Sequence, residues 1–259
     1  MRQPQIVAFG GGGFSMESGN TLLDNHVLAL TGVAHPRICF LPTASGDADH
    51  YIVRFYRAFV ASRCEPSHIS LFRRETSVAD PRSHLLAQDV IYVGGGSVVS
   101  LLGTWRAHDL DLALREAWLS GVLLCGGSAG SLCWFSEAVS GFHSGEPRRV
   151  SGLGLLPWSN AVHYESEGGR RHAFHAAITS GMPAGYAAND GAALHFTGTE
   201  LAEVITSRPG ARAFFVSPDQ RGEVSERELP TRYLGEMASG CATGSELDPG
   251  DPAPVAVVA

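Results

Sequence analysis

Short apolar runs alternate with segments of helical period along most of the chain. Residues 6–9 (Ile-Val-Ala-Phe), 37–41 (Arg-Ile-Cys-Phe-Leu), 90–93 (Val-Ile-Tyr-Val) and 122–125 (Val-Leu-Leu-Cys) are almost unbroken, rich in β-branched and aromatic side chains, and each empties into a loop of small residues. Runs of this kind suit strands buried on both faces, as in a parallel sheet. Between them, residues 21–30 predict a short helix. Residues 49–63 carry Ile52, Phe55, Tyr56, Phe59 and Val60 at helical spacing, which gives one apolar stripe to lay on a sheet. Leu110, Leu114, Ala117 and Trp118 mark another such helix, and residues 68–72 read as a further strand. The alternation predicts an α/β fold built from crossover units.

The second half is less regular. Residues 193–196 and 185–189 are strand-like, and a helix is expected to begin near Gly169. Residues 201–205 and 211–216 flank Arg208-Pro209-Gly210, which predicts an antiparallel hairpin closed by that turn. Beyond Met237 the composition shifts to Ala, Gly, Ser, Asp and Pro, too little apolar surface to offset ordering entropy. With no fixed-period repeat and no internal linker, the expectation is one α/β domain over residues 1–237 and a loose tail over 238–259.

Charge and cysteine usage narrow the function classes. The formal net charge is −7, so no basic stripe is available to neutralise a phosphate backbone, and nucleic acid is not expected as a partner. No transmembrane span is visible, and residues 1–5 run straight into the first strand without the apolar run and cleavage site of a secretory signal. The expectation is a cytoplasmic protein with no membrane partner. Cys39, Cys64, Cys125, Cys133 and Cys241 are odd in number and widely spread, unlike a disulfide framework, and suit small buried hydrophobes. Nothing in the pattern points to an oligomeric partner.

The chemistry concentrates at strand ends. Gly126-Gly127-Ser128-Ala129-Gly130 satisfies G-x-S-x-G directly after a buried strand and before a helical stretch, where the motif exposes a serine at the carboxyl edge of a sheet. A serine hydroxyl needs a base to become a nucleophile, and the base needs a third group to fix its tautomer. Of the 11 histidines, His163 is best placed: Leu155-Leu156-Pro157-Trp158 and Ala161-Val162 deliver it into the polar Tyr164-Glu165-Ser166-Glu167. His172 and His175 suit an exposed helix, and His195 a core position. No carboxylate or cysteine cluster completes a zinc set with them, so no metal is expected. Asp190, where a strand breaks into an Asp-Gly turn, is the leading orienting acid, with Glu137, Glu165 and Glu167 as rivals. Backbone N–H groups in Gly94-Gly95-Gly96-Ser97, with that of Ala129, could form an oxyanion hole. The glycines at 10–13 and 94–96 lack a complete nucleotide-binding fingerprint, and the proposed chemistry calls for no cofactor.

Together these segments resemble peptidase E: Phe9-Gly10-Gly11-Gly12, Phe40-Leu41-Pro42-Thr43-Ala44, Tyr92-Val93-Gly94-Gly95-Gly96, Gly127-Ser128-Ala129-Gly130, and Gly152-Leu153-Gly154-Leu155-Leu156-Pro157 followed by His163. The resemblance runs from about residue 5 to about residue 235. It implies a class I glutamine-amidotransferase-like three-layer sandwich with a mostly parallel sheet, in a family that also contains the cyanophycinases. It implies Ser128 as nucleophile, His163 as base, and Gly95, Gly96 and Ala129 as oxyanion donors. The family pattern has a glutamate before a glycine where this chain has Asp190-Gly191. Typical family members cleave dipeptides with an amino-terminal aspartate, which calls for cationic groups facing a carboxylate; Arg170 and Arg171 are the candidates. The expected substrate is a small peptide. An esterase or other acyl-hydrolase, or a binding protein that keeps the fold without turnover, are the alternatives.

Overall fold

A computed structural model describes residues 2–17, 19–72, 78–141, 146–219 and 222–236. The tail expected over 238–259, with Cys241, lies outside the described residues.

Five parallel strands, β1 (Gln5–Phe9), β2 (Arg37–Leu41), β3 (Glu65–His68), β4 (Val90–Val93) and β5 (Leu123–Gly127), lie side by side in the order β1-β5-β4-β2-β3. Beyond β1 the sheet continues antiparallel through β10 (Ala192–Thr197) and β11 (Glu200–Thr206), and ends with β14 (Arg232–Tyr233) parallel to β11. The first sheet is thus mostly parallel, as expected for an α/β fold.

Its inner strands are apolar throughout because both faces are covered. Val7 and Phe9 face one way, into a cluster with Leu23 and Val27 of α1 (Leu22–Leu30) and Phe55 of α2 (Asp49–Ala58). Phe14, Phe40, Phe59 and Tyr92 complete an aromatic nest there, with Phe40 and Phe55 stacked at 4.9 Å. Each fully buried Phe contributes roughly 1.5–3 kcal/mol relative to an exposed one. Ile6 and Ala8 face the other way, toward α3 (Pro81–Leu86), α4 (Val98–Ala107), α5 (Leu110–Leu119) and the short α6 (Ala129–Leu132).

A second sheet covers part of that same face. It runs β13 (Val224–Glu228), β12 (Ala213–Pro218), β9 (Gly185–Ala188), β8 (Leu156–Val162), β6 (Phe135–Ser140), β7 (Arg148–Ser151), with β6, β8 and β9 mutually parallel. Its strands alternate: Val162, Tyr186, Ala188 and Ala213 join the cluster shared with the first sheet, whereas Ala161, Ala187, Phe214 and Val216 pack against α7 (Arg170–Thr179).

Two local expectations are corrected. The segments at 201–205 and 211–216 are strands but do not form a hairpin: β11 pairs with β10 in the first sheet and β12 with β9 and β13 in the second. Arg208-Pro209-Gly210 crosses between sheets, because β12 is apolar on both faces and needs a layer on each side. The third strand lies at Glu65–His68 rather than 68–72, where an edge position lets Glu65 and Ser67 serve. The loop after β4 leads into α4, whose buried Val98, Leu101, Leu102 and Trp105 follow helical spacing.

Candidate active site

The site is organised by the carboxyl end of β1. Three successive carbonyls there accept three backbone N–H groups from different parts of the chain: Phe9 from Ser128 (3.4 Å), Gly10 from His163 (3.0 Å), and Gly11 from Gly191 (2.8 Å), next to Asp190. Residues far apart in sequence are so held around one strand end, the place where open α/β sheets bind ligands.

Ser128 occupies the turn between β5 and α6 with φ 56° and ψ −116°, a conformation L-residues rarely adopt and one that costs on the order of 1–3 kcal/mol. The surrounding packing enforces it. A Cβ at Gly126 would stand 2.5 Å from the Val93 carbonyl oxygen, and one at Gly130 only 2.2 Å from the same atom. The flanking glycines of the motif therefore serve close approach to β4, and the strained dihedral falls on the serine itself.

His163 leaves the end of β8 at φ 52°, also left-handed, and is largely buried. Its Nδ1 lies 2.5 Å from Asp190 Oδ1. The other Asp190 oxygen accepts a 2.8 Å hydrogen bond from the Ser166 hydroxyl. Partial burial pushes the Asp190 carboxyl up, but the hydrogen bonds from His163 and Ser166 and the charges of His163 and Arg208 outweigh it, leaving it below the ordinary carboxylate range. Asp190 is thus held as an anion against the ring. The pair is packed tightly under β1: a Cβ at Gly11 would come within 2.0 Å of Asp190 Oδ1 and 2.9 Å of the His163 ring.

Gly95 crosses next to the serine, where its Cβ would stand 3.4 Å from the Ser128 Cβ. Among the described residues, no carbonyl accepts the N–H of Gly95 or Gly96. A cavity of about 90 Å³ opens between Gly96, Ser128, Ala129, Leu132, Val162 and Arg170. The Arg170 guanidinium in its wall is 4% exposed, donates from Nη1 to the Val139 carbonyl at 2.7 Å and pairs through Nη2 with Glu167, while its Nε has no hydrogen-bond partner. Arg171 does not join it. Its side chain is half exposed, bonded to Glu226 and set 5.9 Å over the Phe214 ring, since successive helix residues point about 100° apart.

The match to known proteins agrees with this arrangement of elements. The family model for Peptidase family S51 matches residues 6–204. The chain is 48% identical over 232 residues to the uncharacterized peptidase YgaJ of Bacillus subtilis, covering 89% of this chain and 99% of that protein. The chain belongs to peptidase family S51. It is 28% identical over 154 residues to peptidase E of Streptomyces coelicolor, covering 58% of this chain and 61% of that one. The crystal structure of a peptidase from an acI-B1 Actinobacterium shares the fold, with a TM-score of 0.64 at 17% identity over 88% of this chain and 95% of that chain. Membership makes the protein a serine-type peptidase of an α/β architecture related to peptidase E.

Within this S51 chain the rival acids have other partners. Glu137 pairs with Arg149, Glu165 with Arg212 at 2.6 Å, and Glu167 with Arg170. Of the four carboxylates, Asp190 is the one in contact with the His163 ring. His172 is exposed on α7, and His175 contacts Glu226 and the Tyr164 hydroxyl at 2.8 and 2.9 Å. Two contributors went unnoticed in the sequence. Ser166 lay within the polar run after His163 but gave no sign of reaching Asp190. The buried Glu17, which accepts from the Ser207 hydroxyl at 2.8 Å and pairs with Arg208, braces the loop beside Asp190 across 190 residues, a separation that leaves no local signal. No helix among the described residues is long and apolar enough to cross a membrane.

Proposed function

We propose that this S51 peptidase hydrolyses the amide bond of a small peptide with Ser128 as nucleophile, His163 as general base and Asp190 as the group that orients the imidazole. Asp190 accepts the Nδ1–H of His163, which leaves Nε2 bare to take the Ser128 proton as Oγ attacks the scissile carbonyl carbon. The developing oxyanion is met by the N–H groups of Gly95, Gly96 and Ala129. The imidazolium then gives its proton to the leaving amine as the C–N bond breaks. Water, deprotonated by His163, releases the acid from the acyl-serine. The observation that carries this reading is the tethering of residues 128, 163 and 191 to three consecutive carbonyls of one strand end, with Asp190 at 2.5 Å from the ring.

Specificity for an amino-terminal aspartate is supported by the cavity wall. A space of about 90 Å³ accepts only a short side chain, and Arg170, whose guanidinium is held by the Val139 carbonyl and Glu167, lines it. The substrate carboxylate would compete with the half-exposed Glu167 for Nη2. Hydrolysis of an Asp-X dipeptide panel, with Ala-X and Leu-X controls, tests the reading. Cleavage confined to Asp-X supports it; cleavage of Ala-X and Leu-X at equal kcat/KM removes the aspartate preference, and failure to cleave any member sinks the small-peptide assignment.

A further inference from the structure

Away from the proposed active site, three side chains from three elements turn one ligand atom each toward a common point. They are His26 of α1, His195 of β10 and Glu203 of β11, and their ligand atoms all lie within 4.8 Å of one another. His195 stands directly opposite Glu203 in the antiparallel pair β10–β11 and opposite Val7 on β1, on the face that α1 covers. We propose that His26 Nε2, His195 Nδ1 and Glu203 Oε1 form a binding site for one divalent transition-metal ion, Zn²⁺ by preference, that pins α1 to the antiparallel side of the first sheet.

The distances suit such an ion. Glu203 Oε1 is 3.5 Å from His195 Nδ1 and 3.8 Å from His26 Nε2. Ligands bonded to tetrahedral zinc at about 2.0–2.1 Å stand roughly 3.4 Å from each other, so small side-chain adjustments close the shell. The ligands are also prepared electronically. His195 Nε2 lies 2.8 Å from Gln5 Oε1, an acceptor, which places the ring proton on Nε2 and leaves the Nδ1 lone pair facing Glu203. Arg232 donates to Glu203 Oε2 from Nε at 2.9 Å and Nη2 at 2.8 Å, so Oε1 is the oxygen left to ligate.

His26 supplies the independent observation. Its Nε2 is shut off from solvent and has no hydrogen-bond partner, a state that is destabilising for a polar atom unless something satisfies it. Burial pushes both imidazoles below their ordinary range, toward the neutral form that binds metal. Two imidazoles and one carboxylate select zinc, cobalt or nickel over magnesium or calcium. The partly exposed Glu203 leaves room for a water as fourth ligand. Because His195 lies level with Val7, the middle of β1, the ion sits apart from the Phe9–Gly11 carbonyls at the carboxyl end that hold the proposed triad. Its role is structural, and peptide hydrolysis does not pass through it.

The test uses full-length protein without a polyhistidine tag, stripped with chelator and titrated with Zn²⁺ by calorimetry and with Co²⁺ by visible absorption. The expected result is one ion per chain, with a dissociation constant in the micromolar range or tighter and a cobalt spectrum of low-symmetry coordination. Free Zn²⁺ at about 100 times that constant should raise Tm by roughly 5–10 °C. His26→Ala, at a helix position that tolerates alanine, and Glu203→Gln should each weaken binding at least about tenfold. Gln5→Ala should weaken it about 10- to 100-fold by releasing the His195 tautomer. His172→Ala, exposed on α7, should bind as wild type. Absence of binding by the wild-type chain overturns the proposal whatever the variants do, and so does unchanged affinity in both His26→Ala and Glu203→Gln.

Discussion

Adding one methyl group at Gly11 should disable the proposed triad without substituting any of its members. Gly11 is outside the left-handed region, so alanine is permitted by the backbone, but its Cβ would stand 2.0 Å from Asp190 Oδ1. Contacts of Cβ under 3.0 Å are essentially never seen, so the carboxyl oxygen must withdraw by at least about 1 Å from a position now 2.5 Å from His163 Nδ1. Misplacement of that size costs on the order of 10²-fold, and full loss of the orienting contact about 10⁴-fold, as for Asp→Asn in a serine-protease triad. The expected fall in kcat for Gly11→Ala is therefore about 10²- to 10⁴-fold, or roughly 2.7–5.4 kcal/mol in the barrier, with KM little changed. The assay is steady-state hydrolysis of the best dipeptide by wild type, Gly11→Ala, Asp190→Ala and the double variant, with circular dichroism to confirm folding. If the methyl acts through Asp190, it should add no more than a few-fold in the Asp190→Ala background. A Gly11→Ala enzyme within tenfold of wild type, or costs that multiply across the cycle, would refute the claim that Asp190 orients His163.

Other outcomes follow from the same structure. Asp24 is buried, and burial pushes its carboxyl up to about 7 against the opposing hydrogen bonds of Tyr92 and the Phe14 backbone and the charge of Arg63. A folded-state value raised from 3.8 means that its contribution is fully present below about pH 4 and is lost as pH rises toward 7, on the order of 4 kcal/mol in all. Asp24→Asn should accordingly gain stability over wild type as pH is raised from 5 to 8, read as a widening Tm difference; a constant difference across that range would show that Asp24 does not titrate there. Arg170→Met should lower kcat/KM for Asp-X at least about tenfold while leaving cleavage of an activated ester nearly intact, since a buried charge-assisted contact is worth roughly 1.5–3 kcal/mol. An equal loss on both substrates would make Arg170 structural.

The first sheet was legible because strands covered on both faces must be continuously apolar, as 6–9 and 90–93 are. The serine turn, His163 and Asp190 were legible for a related reason: each marks a place where such a run breaks into small or polar residues at a strand's carboxyl end. Edge strands carry no such constraint. Arg148–Ser151 and Val224–Glu228 close the two sides of the second sheet and expose most of their side chains, so charged sequences serve and the apolar pattern is lost. Strand partners were equally hidden, and β11 and β12, close in sequence, went to different sheets. The helical spacing of Val98, Leu101, Leu102 and Trp105 was present in the sequence, masked by the glycine loop before it and by Gly103 within it. Contacts between remote residues, such as Glu17 with Arg208 or His26 with His195 and Glu203, have no local signature at all.

The central claim, that Ser128 is the nucleophile, is tested most directly by treating the protein with a reactive fluorophosphonate and mapping the adduct by mass spectrometry, alongside dipeptide turnover by Ser128→Ala. The account predicts one adduct, on Ser128, lost in Ser128→Ala together with a fall in kcat on the order of a million-fold. An adduct on another residue, or peptide turnover that survives in Ser128→Ala, would contradict it.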